Sequence, residues 1–261
     1  VGIIALHDVT KTFDSGYTAL RDVELDVAAQ RFVALVGPSG CGKSTTLSLV
    51  AGLEPATSGS VTVRGKRVDG ITDGVGFLFQ RDALLPWKTV RDNVCFPLQL
   101  RGLSARETKE RAESWIARVG LSGFESSFPY QLSGGMRKRV SLAQTLVYDP
   151  EILLMDEPFS ALDVQTRNLM EGELLALWQG SGKTVIFVTH DLEEAIALAD
   201  EVVVMTAGPA RVKARYEVTL PRPRDIEQAR FDPRFTELYA KMWNDLRDEV
   251  LESYARARKS G

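Results

Sequence analysis

Short runs of consecutive apolar residues alternate with stretches of helical period along most of this chain. Residues 31–36 (RFVALV) form a compact apolar run that closes on a glycine-rich turn and predicts a strand. Residues 45–53 behind it predict a helix, with Gly52 near its end. Residues 61–63 and 75–79 predict further strands, the first entered from the turn-forming Thr57-Ser58-Gly59. From Arg81 to Tyr148 the period becomes helical. Ser104 with Glu107 is a capping box, and Thr108, Ala112, Trp115, Ile116 and Val119 share one face until Gly120 stops the helix. Met136, Val140, Ala143 and Val147 mark a second amphipathic helix, ended by Asp149-Pro150. The strand pattern then returns at 152–155 (ILLM), 185–189 (VIFVT) and 202–205. Continuous apolar runs of this kind suit parallel strands buried on both faces.

The pattern therefore predicts an α/β sheet domain over 1–220, interrupted by a helical insertion at about 81–149. Pro221 and Pro223 mark a boundary, and a helical extension follows over 221–261. Its stripe of Phe235, Leu238, Tyr239, Met242, Trp243, Leu246, Val250 and Leu251 favours packing back on the domain over a regulatory or subunit contact.

Composition narrows the function classes. With 32 basic and 35 acidic groups the net charge is −3, which argues against a generally basic nucleic-acid binder. At 44% hydrophobic the chain has ample material for a core and is not a disordered one. No apolar run approaches the roughly 18–20 residues of a membrane-spanning helix. Residues 1–5 carry neither a basic stretch nor a long apolar core, so no secretory leader is expected. Cys41 and Cys95 stand far apart with no CxxC, which suits a reducing compartment and gives no zinc site. His7 and His190 are too few for a His-rich metal site. A soluble cytoplasmic protein is the expectation.

The chemistry starts at Gly37-Pro38-Ser39-Gly40-Cys41-Gly42-Lys43-Ser44, which fits GxxxxGK[ST] between a strand and a helix. Glycines let backbone N–H groups turn inward around a phosphate chain, and the helix N-terminus adds its positive dipole end. Lys43 is placed to reach the β- and γ-phosphates, and Ser44 to ligate Mg²⁺. Asp156 supplies a carboxylate at the end of the ILLM strand, and Glu157 after it is placed to align a water. Leu132-Ser133-Gly134-Gly135-Met136 opens the second amphipathic helix with exposed N–H groups. His190 follows the VIFVT strand, where a side chain can meet a γ-phosphate, whereas His7 has no such context.

Together these residues resemble the ATP-binding cassette (ABC) ATPases, in the family's motif order over nearly the whole chain. GPSGCGKS is similar to the Walker A loop, ILLMDEP to Walker B, LSGGM to the signature and Ser160-Ala161-Leu162-Asp163 to the D-loop. Gln80 in FLFQ resembles the Q-loop glutamine, and His190 the switch histidine. The resemblance implies a P-loop fold with a RecA-like, mostly parallel sheet core, an antiparallel β subdomain and a helical subdomain. It implies ATP held by Phe13 stacked on adenine, the loop 37–44 with Thr45, Gln80, and Ser133, Gly134, Gly135 and Asp163 across a head-to-tail homodimer. It further implies Mg²⁺ at Ser44, Gln80 and Asp156, and catalysis by Glu157, His190 and Lys43. Tyr17 is a second choice of aromatic. Met136 departs from the commoner LSGGQ, and Gln30 stands where many relatives have glycine.

FLFQRDALLPWKTVRDNV, MTAGPAR and LPRPRD resemble the ATPases of nitrate, sulfonate and taurine importers. By that resemblance the segment from Gln80 to Trp87, with Leu84 and Leu85, receives a membrane permease, and an external solute-binding protein acts indirectly. The protein would lie peripherally on the cytoplasmic face of the inner membrane. Lys43 and Ser133 are only 90 positions apart, too few for the coiled coil of DNA-repair cassettes. Arg137-Lys138-Arg139 reads as a solvated basic face, not a nucleic-acid patch. A non-transport cassette that regulates a membrane partner is the alternative.

Overall fold

The computed structural model describes residues 2–260, of which 254–260 are described by their backbone alone. Val1, where the stretch read for a leader starts, and Gly261, where the predicted extension ends, lie outside them. The chain opens on a hairpin, β1 (Ile4–Thr12) and β2 (Thr18–Val27), followed by β3 (Phe32–Val36) and α1 (Lys43–Ala51). Then come β4 (Ser58–Val63), β5 (Lys66–Arg67) and β6 (Val75–Leu78). The helical insertion holds α2 (Val90–Leu100), α3 (Ala105–Arg118) and α4 (Gly134–Leu146). It is followed by β7 (Ile152–Asp156), α5 (Val164–Trp178), β8 (Thr184–Val188), α6 (Leu192–Leu198), β9 (Glu201–Met205) and β10 (Val212–Glu217). Two helices end the chain, α7 (Ile226–Ala229) and α8 (Pro233–Ser260).

Six strands form the larger sheet in the order β10-β9-β3-β8-β7-β6, parallel except for the edge strand β10. The four-stranded sheet, β2-β1-β4-β5, is antiparallel. β3 is buried at every residue, yet its side chains divide by parity. Phe32, Ala34 and Val36 enter the layer shared with α5, α6 and α8, whereas Val33 and Leu35 enter the layer beneath the antiparallel sheet and α1. A third apolar cluster closes the helical insertion on itself around Val94, Leu98, Ala112, Ile116 and Val140.

Three readings from the pattern need correction. Helix α1 begins at Lys43, not at Thr45, because the phosphate-type loop feeds the helix directly from Gly42. Thr57-Ser58-Gly59 is no simple turn, since Ser58 and Gly59 already lie in β4. The apolar stripe of the last helix is narrower than its sequence implied. Phe235, Met242 and Leu246 are buried against the sheet domain, while Trp243 and Leu251 stay 47% and 61% exposed. Trp243 stacks on Tyr239 instead, with ring centroids 6.4 Å apart.

Candidate functional site

Because β3, β8 and β7 are parallel neighbours, the loops that leave their C-terminal ends emerge side by side. The loop after β3 carries 37–44, the end of β7 carries Asp156 and Glu157, and the loop after β8 carries Thr189 and His190.

The first loop is built for an anion. Gly42 has φ 118° and caps α1 with no side-chain hydrogen bond, so the N–H groups of the first turn are left to a ligand. A Cβ there would sit 2.9 Å from the Ala19 carbonyl oxygen and 2.7 Å from Leu20 Cδ2, so only glycine fits. Lys43 is buried, and its Nζ donates to the carbonyls of Gly37 (2.9 Å) and Pro38 (3.0 Å), curled inside its own loop. Gly37 and Pro38 are buried, Ser39, Gly40 and Ser44 exposed, and Thr45 half-buried. Burial pushes the Cys41 thiol up.

Ser44 Oγ donates to Asp156 Oδ1 at 2.9 Å, which pairs the two oxygen donors. Burial holds the Asp156 carboxyl above the usual range, partly offset by the Ser44 bond. Among the described residues Asp156 makes no ion pair, and a hydroxyl beside such a carboxylate is a donor set that suits a hard divalent ion.

Glu157 is the meeting point of the site. Its backbone has φ 42°, the left-handed region, and its N–H is tied to the Val188 carbonyl at 2.9 Å. One carboxylate oxygen accepts from His190 Nδ1 at 3.2 Å and from Gln80 Nε2 at 3.3 Å. Gln80 also reaches Ser160 Oγ at 3.5 Å. Thus three loops, from β6, β7 and β8, converge on one carboxylate. Behind them Thr189 Oγ1 is bonded to the buried Glu194, and Asp191 pairs with Arg167 at 3.4 Å.

Phe13 is half-buried and packs against the core, with Lys11 Nζ 4.9 Å from its ring centre. Tyr17 stacks beside it at 6.5 Å and donates its hydroxyl to the Gly40 carbonyl at 2.9 Å. That bond ties the aromatic hairpin to the phosphate-type loop, and the motif spacing gave no sign of it.

Other predicted residues lie apart from this centre. Ser133 caps α4 by accepting from the Met136 N–H at 3.3 Å, and Ser133 and Gly134 are exposed. Gly135 is half-buried, with Thr166 Cγ2 2.8 Å from where its Cβ would be. Among the described residues, no hydrogen bond joins 133–135 to 37–44. Asp163 caps α5, and its bonds from Thr166 hold the carboxyl below the usual range.

Between the site and the helical insertion runs a groove of about 620 Å³, lined by Gln80, Asp82, Leu84, Pro129 and Arg137. Leu84 at its wall and Leu85 next to it are half-buried, while Trp87 is 72% exposed and so is not a core residue. The fully buried Asn93, which sequence reading passed over, holds this segment. Its Nδ2 donates to the carbonyls of Leu85, Lys88 and Thr89, and its Oδ1 accepts from the Leu85 N–H.

The basic trio is not a solvated face. Lys138 is buried against the carbonyls of Phe79 and Gln80. Arg137 pairs with Asp82 at 3.3 Å, and Arg139 with Glu173 at 2.7 Å. Tertiary partners in the insertion and in α5 have claimed all three charges.

The family model described as ABC transporter matches residues 20–160. The uncharacterized ABC transporter ATP-binding protein MJ0412 of Methanocaldococcus jannaschii is 48% identical over 253 residues, 96% of this chain and 93% of that protein. The taurine import ATP-binding protein TauB of Escherichia coli K12 is 45% identical over 207 residues, 79% of this chain and 81% of TauB. Among solved structures, the ATP-binding cassette MJ0796, in a dimeric post-hydrolysis state bound to ADP and Pi, has a TM-score of 0.74 at 32% identity. The match covers 84% of this chain and all of that one. The structure of cbiO1 from Clostridium perfringens, part of the ABC transporter complex cbiONQ, has a TM-score of 0.75 at 26% identity, over 83% of this chain and 89% of that one.

Proposed function

From the premise that this chain belongs to the ABC transporter family, as an ATP-binding subunit that hydrolyses ATP, we propose that it powers import of a small anionic or polar solute of the taurine, sulfonate or nitrate kind. Its fold is that of the ABC ATPase cassettes. The observation that carries the proposed chemistry is the convergence of Gln80 and His190 on the Glu157 carboxylate, next to Lys43, Ser44 and Asp156. In this reading Lys43 leaves the Gly37 and Pro38 carbonyls for the β- and γ-phosphates, which offer its ammonium full charges in place of neutral oxygens. The N–H groups of the loop from Ser39 to Thr45 cradle the phosphate chain, with Gly37 and Pro38 shaping its entry, and Phe13 stacks on the adenine. Glu157 accepts a proton from the attacking water, and His190 holds Glu157 in place and faces the γ-phosphate.

Ser44, Asp156 and Gln80 are the residues that would hold Mg²⁺. Bound there, the ion supplies positive charge against the phosphate oxygens.

The subunit is proposed to close on a second copy head to tail. Ser133, Gly134 and Gly135, with Asp163, would then face the nucleotide held by the partner. The exposure of Ser133 and Gly134, and their separation from the loop 37–44, support this, as does the dimeric MJ0796 cassette. The permease is proposed to dock at the segment from Gln80 to Trp87, which places the subunit peripherally on the cytoplasmic membrane face. Among the described residues no helix is long and apolar enough to cross a membrane. Importer identity rests on TauB, 45% identical.

Co-purification from the native membrane tests the importer reading. A multi-span permease should come with the chain, and vesicles holding the complex should accumulate taurine, a related sulfonate or nitrate only with ATP inside. A complex that hydrolyses ATP and moves none of these solutes would favour the regulatory alternative.

A further inference from the structure

Lys138 is the fifth residue of α4, the helix that the signature opens, yet it is buried, with only 3% of the residue exposed. Its Nζ lies 3.3 Å from the Phe79 carbonyl oxygen, 3.1 Å from that of Gln80 and 3.1 Å from Asp82 Oδ1. Residues 79–82 leave the sheet at the end of β6 and carry the side chain that reaches Glu157. The ammonium donates hydrogen bonds to the two carbonyls, while Asp82 Oδ1 balances its charge as an ion pair without a hydrogen bond. Arg137 pairs with the same Asp82 at 3.3 Å and donates to the Leu132 carbonyl at 2.7 Å, which fixes the start of α4 to the same loop. Burying a lone cation is costly, so a buried lysine held mainly by main-chain carbonyls constrains those carbonyls closely.

We propose that Lys138 is a positioning residue for hydrolysis: it grips the Phe79 and Gln80 carbonyls from the signature helix, so that the Gln80 amide is presented to Glu157. In this role Lys138 acts only through Gln80. The proposal rests on the catalytic reading of Glu157 and Gln80. If the cassettes close head to tail, it also gives one chain's signature helix, engaged by its partner's nucleotide, a rigid connection to that chain's own hydrolytic centre.

The test compares steady-state turnover, KM for ATP and nucleotide affinity of the full chain, in its permease complex, across five variants. Lys138→Met fills the same channel without donors, and Asp82 keeps Arg137. Its kcat should fall roughly 10- to 100-fold, as expected for misplacing a catalytic group by about 1 Å, with KM and affinity within about twofold. Lys138→Gln keeps an amide that donates to the carbonyls, and its turnover should stay within about threefold of the parent. In a Gln80→Ala background, Lys138→Met should add no further loss, because both changes remove the same contribution. Glu157→Gln serves as the control for the catalytic reading, which fails on its own if that variant turns over normally. With that control inactive, near-parental kcat in Lys138→Met overturns the proposal. So does an additive loss in the double variant, or equal damage from Met and Gln. Should Lys138→Met not fold, Lys138→Gln still decides: a deep kcat loss in that folded variant overturns the idea.

Discussion

Glu157 holds a left-handed backbone conformation that costs a residue with a Cβ about 1–2 kcal/mol, and it does so at the one carboxylate where three loops meet. The strain is offset by the N–H bond to Val188 and by the pairing of β7 with β8. Glu157→Gln keeps size and hydrogen bonding but removes the proposed base. ATP hydrolysis should fall by about 10²- to 10⁴-fold while ATP affinity, measured by equilibrium binding, hardly changes. Light scattering on the same variant should then show an ATP-dependent shift from monomer to dimer. The proposed adenine contact is tested at Phe13 and Tyr17. Phe13→Ala should weaken nucleotide binding roughly 5- to 150-fold, the span set by about 1–3 kcal/mol of lost stacking. Tyr17→Ala should have the smaller effect on affinity, since its hydroxyl is already engaged with Gly40. The reverse order in a titration would move the adenine to Tyr17.

At the scale of elements, legibility followed the range of the cause. The loop 37–44 could be read because backbone geometry and its glycines are local, and the capping box at Ser104 is present as written. The strands after the insertion were clear because a parallel strand buried on both faces must be continuously apolar. By contrast, the alternation of the hairpin β1–β2 is broken by bulges near Leu6 and Val9, so its antiparallel sheet was legible only through the family resemblance and not in the pattern. Lys138 and Asn93 were equally hidden. A polar residue on a helix looks solvated until the segment it staples is known, and their partners come from 79–82 and 85–89. Asn93 makes a prediction possible at Trp87. Since the segment is held from below by Asn93 and Trp87 is 72% exposed, Trp87→Asp should leave the subunit's melting temperature and ATP affinity unchanged. It should nevertheless abolish co-purification with the permease, because an unpaired charge in an apolar socket is costly. A lowered melting temperature in the isolated subunit would return Trp87 to the core.

For the whole molecule, buried carboxyls link stability to pH. Burial pushes Glu171 up to about 7 and Glu194 up to about 8, the latter further raised by Glu171 and Asp191 and lowered by its Thr189 bond. Arg230 and Arg167 oppose the shift at Glu171. The unfolded chain releases these protons near 4.5. Between that pH and about 8 the folded state therefore binds more protons, so stability declines as the pH rises through this window. Glu194→Gln stays neutral throughout. Relative to that variant, the parent's melting temperature should drop by roughly 4–8 °C between pH 6 and 9, for about 2 kcal/mol of linkage. Parallel melting curves across that range would mean that Glu194 is ionised in the native protein.

The position of β3 also governs when the protein can come into being. Phe32–Val36 is made early, yet its two neighbours in the sheet are Thr184–Val188 and Glu201–Met205. About 150 residues must therefore follow it off the ribosome before it has a parallel partner, a wait of roughly 8–30 s at about 5–20 residues per second. During that interval a wholly apolar strand is bare. The loop it carries has no parallel sheet to stand on, and the hairpin made ahead of it can cover only the Val33 and Leu35 face. A chain that breaks off before Thr184 therefore leaves Phe32–Val36 with no parallel partner on either side.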